Sequence, residues 1–181
     1  FLANINPELQ MDVLKQVTGP KLVVCDTMNL WISERKPQLL ETIKKVDVFI
    51  LNDAEARQIT GEPNLIKAAK MILDYGPNRV IIKKGEHGSM SFTDDSYFSC
   101  PAYPLEDILD PTGAGDTFAG GFMGYLASVD NLSEESCRKA IVYATVMASF
   151  NVQDFSLERQ RILTRDEIES RFSEIKDISR F

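Results

Sequence analysis

Three short apolar runs, Lys21 to Cys25, Val46 to Leu51 and Arg79 to Lys84, alternate with segments whose apolar residues recur every three or four positions. Strand and helix periods that trade places along a chain build a mainly parallel sheet with helices on its faces, so this alternation constrains the fold more than any other feature. Gly19-Pro20 and Gly76-Pro77 end two of the helical stretches. The first helix is expected after Asn6, a capping residue followed by Pro7, with Leu9, Val13, Leu14 and Val17 on its apolar face. Further helices are expected over 37–46, 52–61 and 64–75, and Phe1 to Ile5 reads as a buried strand. After Gly85 two short runs, near Ser89 to Thr93 and Ser96 to Cys100, meet at Asp94-Asp95 and predict a hairpin on a short antiparallel edge. Helices follow over about 114–128 and 133–149, and a third starts at Thr164, where Glu167 completes a capping box ahead of Ile168, Phe172 and Ile175. The expected fold class is α/β, a three-layer α/β/α sandwich. No linker, repeat or low-complexity tract marks a boundary within residues 1–181, and ligands in such folds bind beyond the carboxyl ends of the strands.

Composition narrows the function. The chain has 181 residues, 44% of them hydrophobic and 26% charged, which is enough to bury a core. A net charge of -7 argues against sequence-independent binding to nucleic acid, which needs clustered Lys and Arg. Cys25, Cys100 and Cys137 are odd in number and widely spaced, and read as reduced thiols filling core in a cytoplasmic protein. No apolar run approaches a membrane span, and no basic stretch followed by an apolar one opens the chain. The chain starts at Phe1 inside an apolar run, which suggests that something preceded it.

The segment with the clearest chemistry is Asp110-Pro111-Thr112-Gly113-Ala114-Gly115-Asp116, a turn of small residues leading into an apolar helix. A helix start presents unpaired N–H groups and the positive end of the helix dipole, and so attracts anions. Gly113 and Gly115 let the backbone approach such an anion closely. A carboxylate in that first turn repels the same anion, so Asp116 needs a role of its own, most simply accepting a proton from an attacking hydroxyl. A dinucleotide fingerprint would need glycine where Phe118 stands, and no Gly-Lys-Ser or Gly-Lys-Thr triplet supplies a Walker turn. Gly120, Gly121 and Gly124 on the following helix predict close packing of its backbone on the sheet.

The pattern from Asp110 to Asp116, continuing through Thr117-Phe118-Ala119-Gly120-Gly121-Phe122, resembles the C-terminal signature of the ribokinase-like (PfkB) carbohydrate and nucleoside kinases. The resemblance implies an anion hole at Gly113, Ala114 and Gly115 for the transferring phosphoryl group, with Asp116 as catalytic base. Asn52-Asp53-Ala54-Glu55 matches the family's Asn-x-x-Glu motif, which implies that Asn52 and Glu55 help to hold Mg2+ and its waters beside ATP. The same residues form an ordinary helix-start pattern, and the two roles are compatible. Lys83 to Gly88 takes the position of the strand-to-glycine turn beside the nucleotide, with Lys83 reaching phosphate and Gly85 and Gly88 lining the turn. Lys84 and His87 are expected to be exposed. Asp110 and Thr112 resemble positions that hold a monovalent cation such as K+, and Tyr143, Met147 and Ala148 fall where adenine is contacted. Asp26 sits in the run Asp26-Thr27-Met28-Asn29-Leu30-Trp31, which lacks the arginine of the related Asp-x-Asn-x-Arg stretch.

The likeness covers only the C-terminal portion of such kinases. The N-terminal strands, the lid and the di-glycine stretch that closes on the sugar have no counterpart here, and the expected partner of the protein is a second copy, in a homodimer formed through that missing lid. The expected reaction is transfer of the γ-phosphate of MgATP to an alcohol of a small sugar or nucleoside. A hydroxymethylpyrimidine or pyridoxal kinase would carry Cys in place of Asp116, a truncated nucleotide-binding or regulatory fragment would lack turnover, and a dehydrogenase is disfavoured by Phe118.

Overall fold

The first half of the chain orders itself as α1 (Pro7–Gln16), β1 (Val24–Asp26), α2 (Asn29–Glu34), α3 (Lys36–Ile43), β2 (Val48–Asn52), α4 (Asp53–Thr60), α5 (Leu65–Leu73), β3 (Arg79–Lys83), β4 (Ser89–Phe92) and β5 (Tyr97–Cys100). Five strands form one sheet in the order β1-β2-β3-β4-β5. The first three pair in parallel, with Asp26 opposite Ile50 and Asn52 opposite Lys83, and β4 runs antiparallel to β3. A computed structural model describes residues 1–180. It divides into two compact units, Phe1–Gly85 with Ser89–Ser99, and Glu86–Gly88 with Cys100 onward.

In the first unit, the first four residues of both β2 and β3 are buried without alternation, as parallel strands covered on both faces require. Cys25, Phe49, Leu51, Val80 and Ile82 join Leu39, Ile43, Ile59, Ala69 and Ile72 from the helices in one core. Each β-to-β crossover carries helices, α2 and α3 between β1 and β2, then α4 and α5 between β2 and β3. The helix starts follow local chemistry: Asn6 accepts from the Glu8 N–H ahead of α1, and Asn64 accepts from the Ile66 and Lys67 N–H groups ahead of α5.

Three expectations change here. Phe1 to Ile5 is not a strand: only Leu2 pairs, through a single parallel bridge to Cys25, because Asn6-Pro7 starts α1 almost at once. The expected apolar face of α1 is largely exposed at Leu9, Val13 and Val17, while Gln10 is buried instead. Gln10 Nε2 donates to the carbonyls of Leu2, Ala3 and Asp26 at 3.2, 3.0 and 3.1 Å, which explains how an amide comes to sit where an apolar residue was expected. The short helix α2 had no cap or period to announce it, and its N-terminus has no side-chain cap.

The second unit is helical, with α6 (Ala114–Val129), α7 (Glu134–Asn151), α8 (Glu158–Arg161) and α9 (Arg165–Ile178). The close packing expected at the glycines of α6 is found at Gly121 and is made with a helix. A Cβ on Gly121 would lie 2.9 Å from Ala144 Cα and 3.1 Å from the Met147 side chain, so this glycine lets α6 and α7 approach, whereas Gly120 and Gly124 face open space. Tyr143 of α7 stacks on Phe172 of α9 with centroids 4.5 Å apart. All three cysteines are free and buried, and burial pushes the Cys25 and Cys100 thiols up from their ordinary pKa. Among the described residues no helix is long and apolar enough to cross a membrane.

The capping box at Thr164 forms as expected, and Arg159 also pairs with Glu167. The Thr164 main-chain N–H, then the Arg159 guanidinium, hold the Glu167 carboxyl down from 4.5 to about 2. A depressed carboxylate stabilises the fold above its unfolded pKa, and that contribution disappears as pH falls through the folded value. Hydrogen-exchange protection of α9, measured against the intrinsic rate at each pH, should therefore fall between about pH 4.5 and 2. In Glu167→Gln this acid-dependent step should be absent, and an unchanged step in the variant would refute the link.

Candidate active site

The turn before α6 is built by backbone and short side chains. Leu109 and Asp110 donate their N–H groups to the Val152 carbonyl at 2.8 and 3.3 Å, tying the turn to the chain that leaves α7. Asp110 Oδ1 then accepts from the Thr112 N–H at 2.9 Å. That N–H and the Thr112 hydroxyl, with help from the Ser156 N–H, hold the Asp110 carboxyl below the usual range, so it is ionised at neutral pH. Gly113 takes φ 83 and ψ -3, a left-handed conformation, and caps α6 without any side-chain hydrogen bond.

One of the three expected anion-hole amides is already engaged, since the Ala114 N–H turns back to the Pro111 carbonyl at 3.2 Å. The next two donors, on Gly115 and Asp116, have no main-chain acceptor among the described residues. Asp116 lies in the first turn of α6 and is exposed, with no protein partner for its carboxylate among the described residues. Free N–H groups and a free carboxylate therefore share one helix turn. The first can receive an oxyanion and the second can receive a proton.

In the first unit, Asn52 ends β2 and caps α4, while Lys83 pairs with Asn52 across the sheet at the end of β3. Asn52 and Glu55 form a reciprocal capping box, with both hydrogen bonds 2.8 Å long. Glu55 is only 8% exposed. Burial raises its pKa, against the opposing pull of the Asn52 N–H and the Lys83 ammonium. A carboxylate that is costly to ionise gains from any cation brought to it. Past Lys83, Gly85–His87 makes one 3-10 turn, with φ 55 at Gly85. Lys84 is half-buried rather than exposed, and His87 is exposed as expected.

In the second unit, Gly88 has φ 79, and a Cβ there would lie 2.1 Å from the Cys100 carbonyl oxygen. Tyr143 is covered on both faces, by Tyr125 at 4.6 Å and Phe172 at 4.5 Å, and its hydroxyl donates to Glu169 at 2.8 Å. Its ring edge is what it can offer a ligand, and Met147 sits against Gly121. Asp26, at the end of β1, is buried at 6% exposure.

Asn151 was not among the sequence candidates. It ends α7, buried at 1% exposure, and its Oδ1 lies 3.7 Å from where a Cβ on Gly113 would be. An asparagine that closes an apolar helix reads in sequence as an ordinary cap, so only the fold brings it to notice.

The pattern described as pfkB family carbohydrate kinase matches residues 9–160. This chain belongs to that family. Among similar pfkB proteins is a cytidine kinase from Thermococcus kodakarensis, 36% identical over 129 residues, which covers 68% of this chain and 46% of that protein. The pfkB chain thus spans less than half the length of that curated relative. The nucleoside kinase of Methanocaldococcus jannaschii has the same fold, with a TM-score of 0.75 at 24% identity, covering 95% of this chain and 55% of that one. So has a fructokinase double mutant from Vibrio cholerae in its fructose-, ADP- and potassium-bound form, with a TM-score of 0.77 at 18% identity, covering 91% and 54%. The mostly parallel sheet and its helices are therefore the ribokinase-like α/β fold.

Proposed function

We propose that this chain carries the ATP side and the catalytic base of a cytoplasmic phosphotransferase that moves the γ-phosphate of ATP to an alcohol of a sugar or nucleoside. Residues 1–181 are read as one portion of a ribokinase-like kinase domain, which in the whole protein forms a homodimer through a lid. The observation that carries this reading is the first turn of α6, where uncapped N–H groups stand with the exposed Asp116 carboxylate. In the reaction a bond forms between the acceptor oxygen and the γ-phosphorus, the bond from that phosphorus to the bridging oxygen breaks, and ADP leaves. Asp116 takes the proton released by the acceptor hydroxyl. The N–H groups of Gly113 and Gly115 bind the oxygens of the transferring group, while the Ala114 N–H, held by the Pro111 carbonyl, shapes the turn that presents them.

In the first unit, the buried Glu55, fixed by Asn52, suits a divalent cation, and Lys83 suits phosphate oxygens. No group of three or more His, Cys, Asp or Glu that could hold a metal exists among the described residues, which fits an Mg2+ ligated mainly by phosphates and waters. When bound, Mg2+ neutralises the charge of the triphosphate. Gly85 and Gly88 line the nucleotide turn through backbone. Adenine is contacted by the Tyr143 edge and Met147 rather than by stacking on Tyr143, whose faces are taken. Asp110 and Thr112 hold a monovalent cation, a role suited to an ionised Asp110 carboxylate.

The test is ADP formation by the full-length protein against a panel of sugars and nucleosides. One acceptor class should raise ADP release well above the rate with ATP alone. ADP release independent of every acceptor in both classes would refute the proposal.

A further inference from the structure

The amide nitrogen of Asn151 donates to the Ser156 carbonyl at 2.8 Å, yet its Oδ1 is buried and takes no hydrogen bond. Folded chains rarely leave a buried amide oxygen without a donor or a positive charge to face. The amide lies beside Gly113, with its Oδ1 and Nδ2 3.7 and 3.8 Å from where a Cβ would be. Asp110, three residues earlier, brings a carboxylate to the same turn: its Oδ1 accepts from the Thr112 N–H at 2.9 Å, and its own N–H donates to the carbonyl of Val152, the residue after Asn151, at 3.3 Å. Ser156 itself has φ 55, a left-handed conformation unusual for a residue with a Cβ, and Asn151 holds its carbonyl there. Asn151, Ser156, Asp110 and Gly113 thus form one cluster with two side-chain oxygen acceptors, one anionic and one neutral.

We infer that Asn151 Oδ1 and the Asp110 carboxylate are side-chain ligands of one bound monovalent cation of about the size of K+. A single carboxylate beside a neutral amide oxygen suits one positive charge, whereas a divalent cation held by protein alone calls for several carboxylates. The inference rests on the reading of Asp110 and Thr112 as cation neighbours, and it adds Asn151 as a ligand. Mutation of Asn151 then acts on cation affinity, not merely on the fold.

Thermal unfolding of the full-length protein without nucleotide, titrated with KCl against N-methylglucamine chloride at constant ionic strength, tests this. K+ should raise the unfolding midpoint saturably, as a ligand of the native state does. Asn151→Ala should raise the half-saturating KCl concentration at least about tenfold, the low end of the cost of removing a group that supports a metal site. Asn151→Asp keeps an oxygen but loses the donor to Ser156, and it should keep the K+ response. Loss of that response in Asn151→Asp overturns the inference in favour of a bracket role for the amide, and this variant decides alone if Asn151→Ala does not fold. A wild-type midpoint that K+ does not move, or an Asn151→Ala response equal to wild type, overturns it as well. If Asp110→Asn removes the response while Asn151→Ala retains it, the cation reading of Asp110 survives and the role of Asn151 fails. The phosphotransfer reading is judged separately, by ADP release.

Discussion

Replacing Asp116, the proposed base, by asparagine in the full-length protein is expected to lower turnover by roughly 10²–10⁴-fold, the contribution typical of a positioned general base. Binding of MgATP should survive, because the substitution keeps the size of the side chain and leaves the main-chain N–H groups at positions 115 and 116 unchanged. The carboxylate is exposed and has no protein partner among the described residues, so its loss breaks no internal network. Its interaction with the dipole of α6 contributes only about 0.3–1 kcal/mol to stability. A small fall in the unfolding midpoint alongside a large fall in turnover separates chemistry from folding. Nucleotide affinity by calorimetry and steady-state turnover with the preferred acceptor are the two measurements, and near-wild-type turnover would remove Asp116 from the role of base.

What could be read from sequence divides by how local its cause is. β2, β3 and α5 were legible because continuous apolar burial and a period of three to four residues leave marks within a few positions. The capping boxes at Asn52 and Thr164 were legible for the same reason, as each closes over three residues. The exposed Leu9, Val13 and Val17 and the buried Gln10 of α1 were not, because Gln10 is satisfied by carbonyls as far away as Asp26. The shape of the turn before α6 was legible through residue type, since left-handed backbone at Gly113 favours glycine. Asn151 and the double stacking of Tyr143 lay out of reach. Each depends on which residues of other helices or turns arrive beside it, Gly113 in one case and Tyr125 and Phe172 in the other.

Gly88→Ala is expected to destabilise the chain by roughly 3–5 kcal/mol, combining left-handed strain with an overpacked contact. The added Cβ would stand 2.1 Å from the Cys100 carbonyl oxygen and 2.7 Å from both Pro101 C and Ala102 N. All three are backbone atoms, so relief requires the chain leaving β5 to move rather than a side chain to rotate. Gly85 supplies the comparison within the same loop, because it too has a positive φ, 55, but nothing within 4 Å of an added Cβ. Gly85→Ala should therefore cost only the conformational part, about 1–2 kcal/mol. Urea unfolding of both variants measures the difference directly. Equal losses would mean that backbone conformation alone requires glycine at 88, whereas the larger loss at 88 identifies the contact with residues 100–102 as the reason this turn keeps its shape.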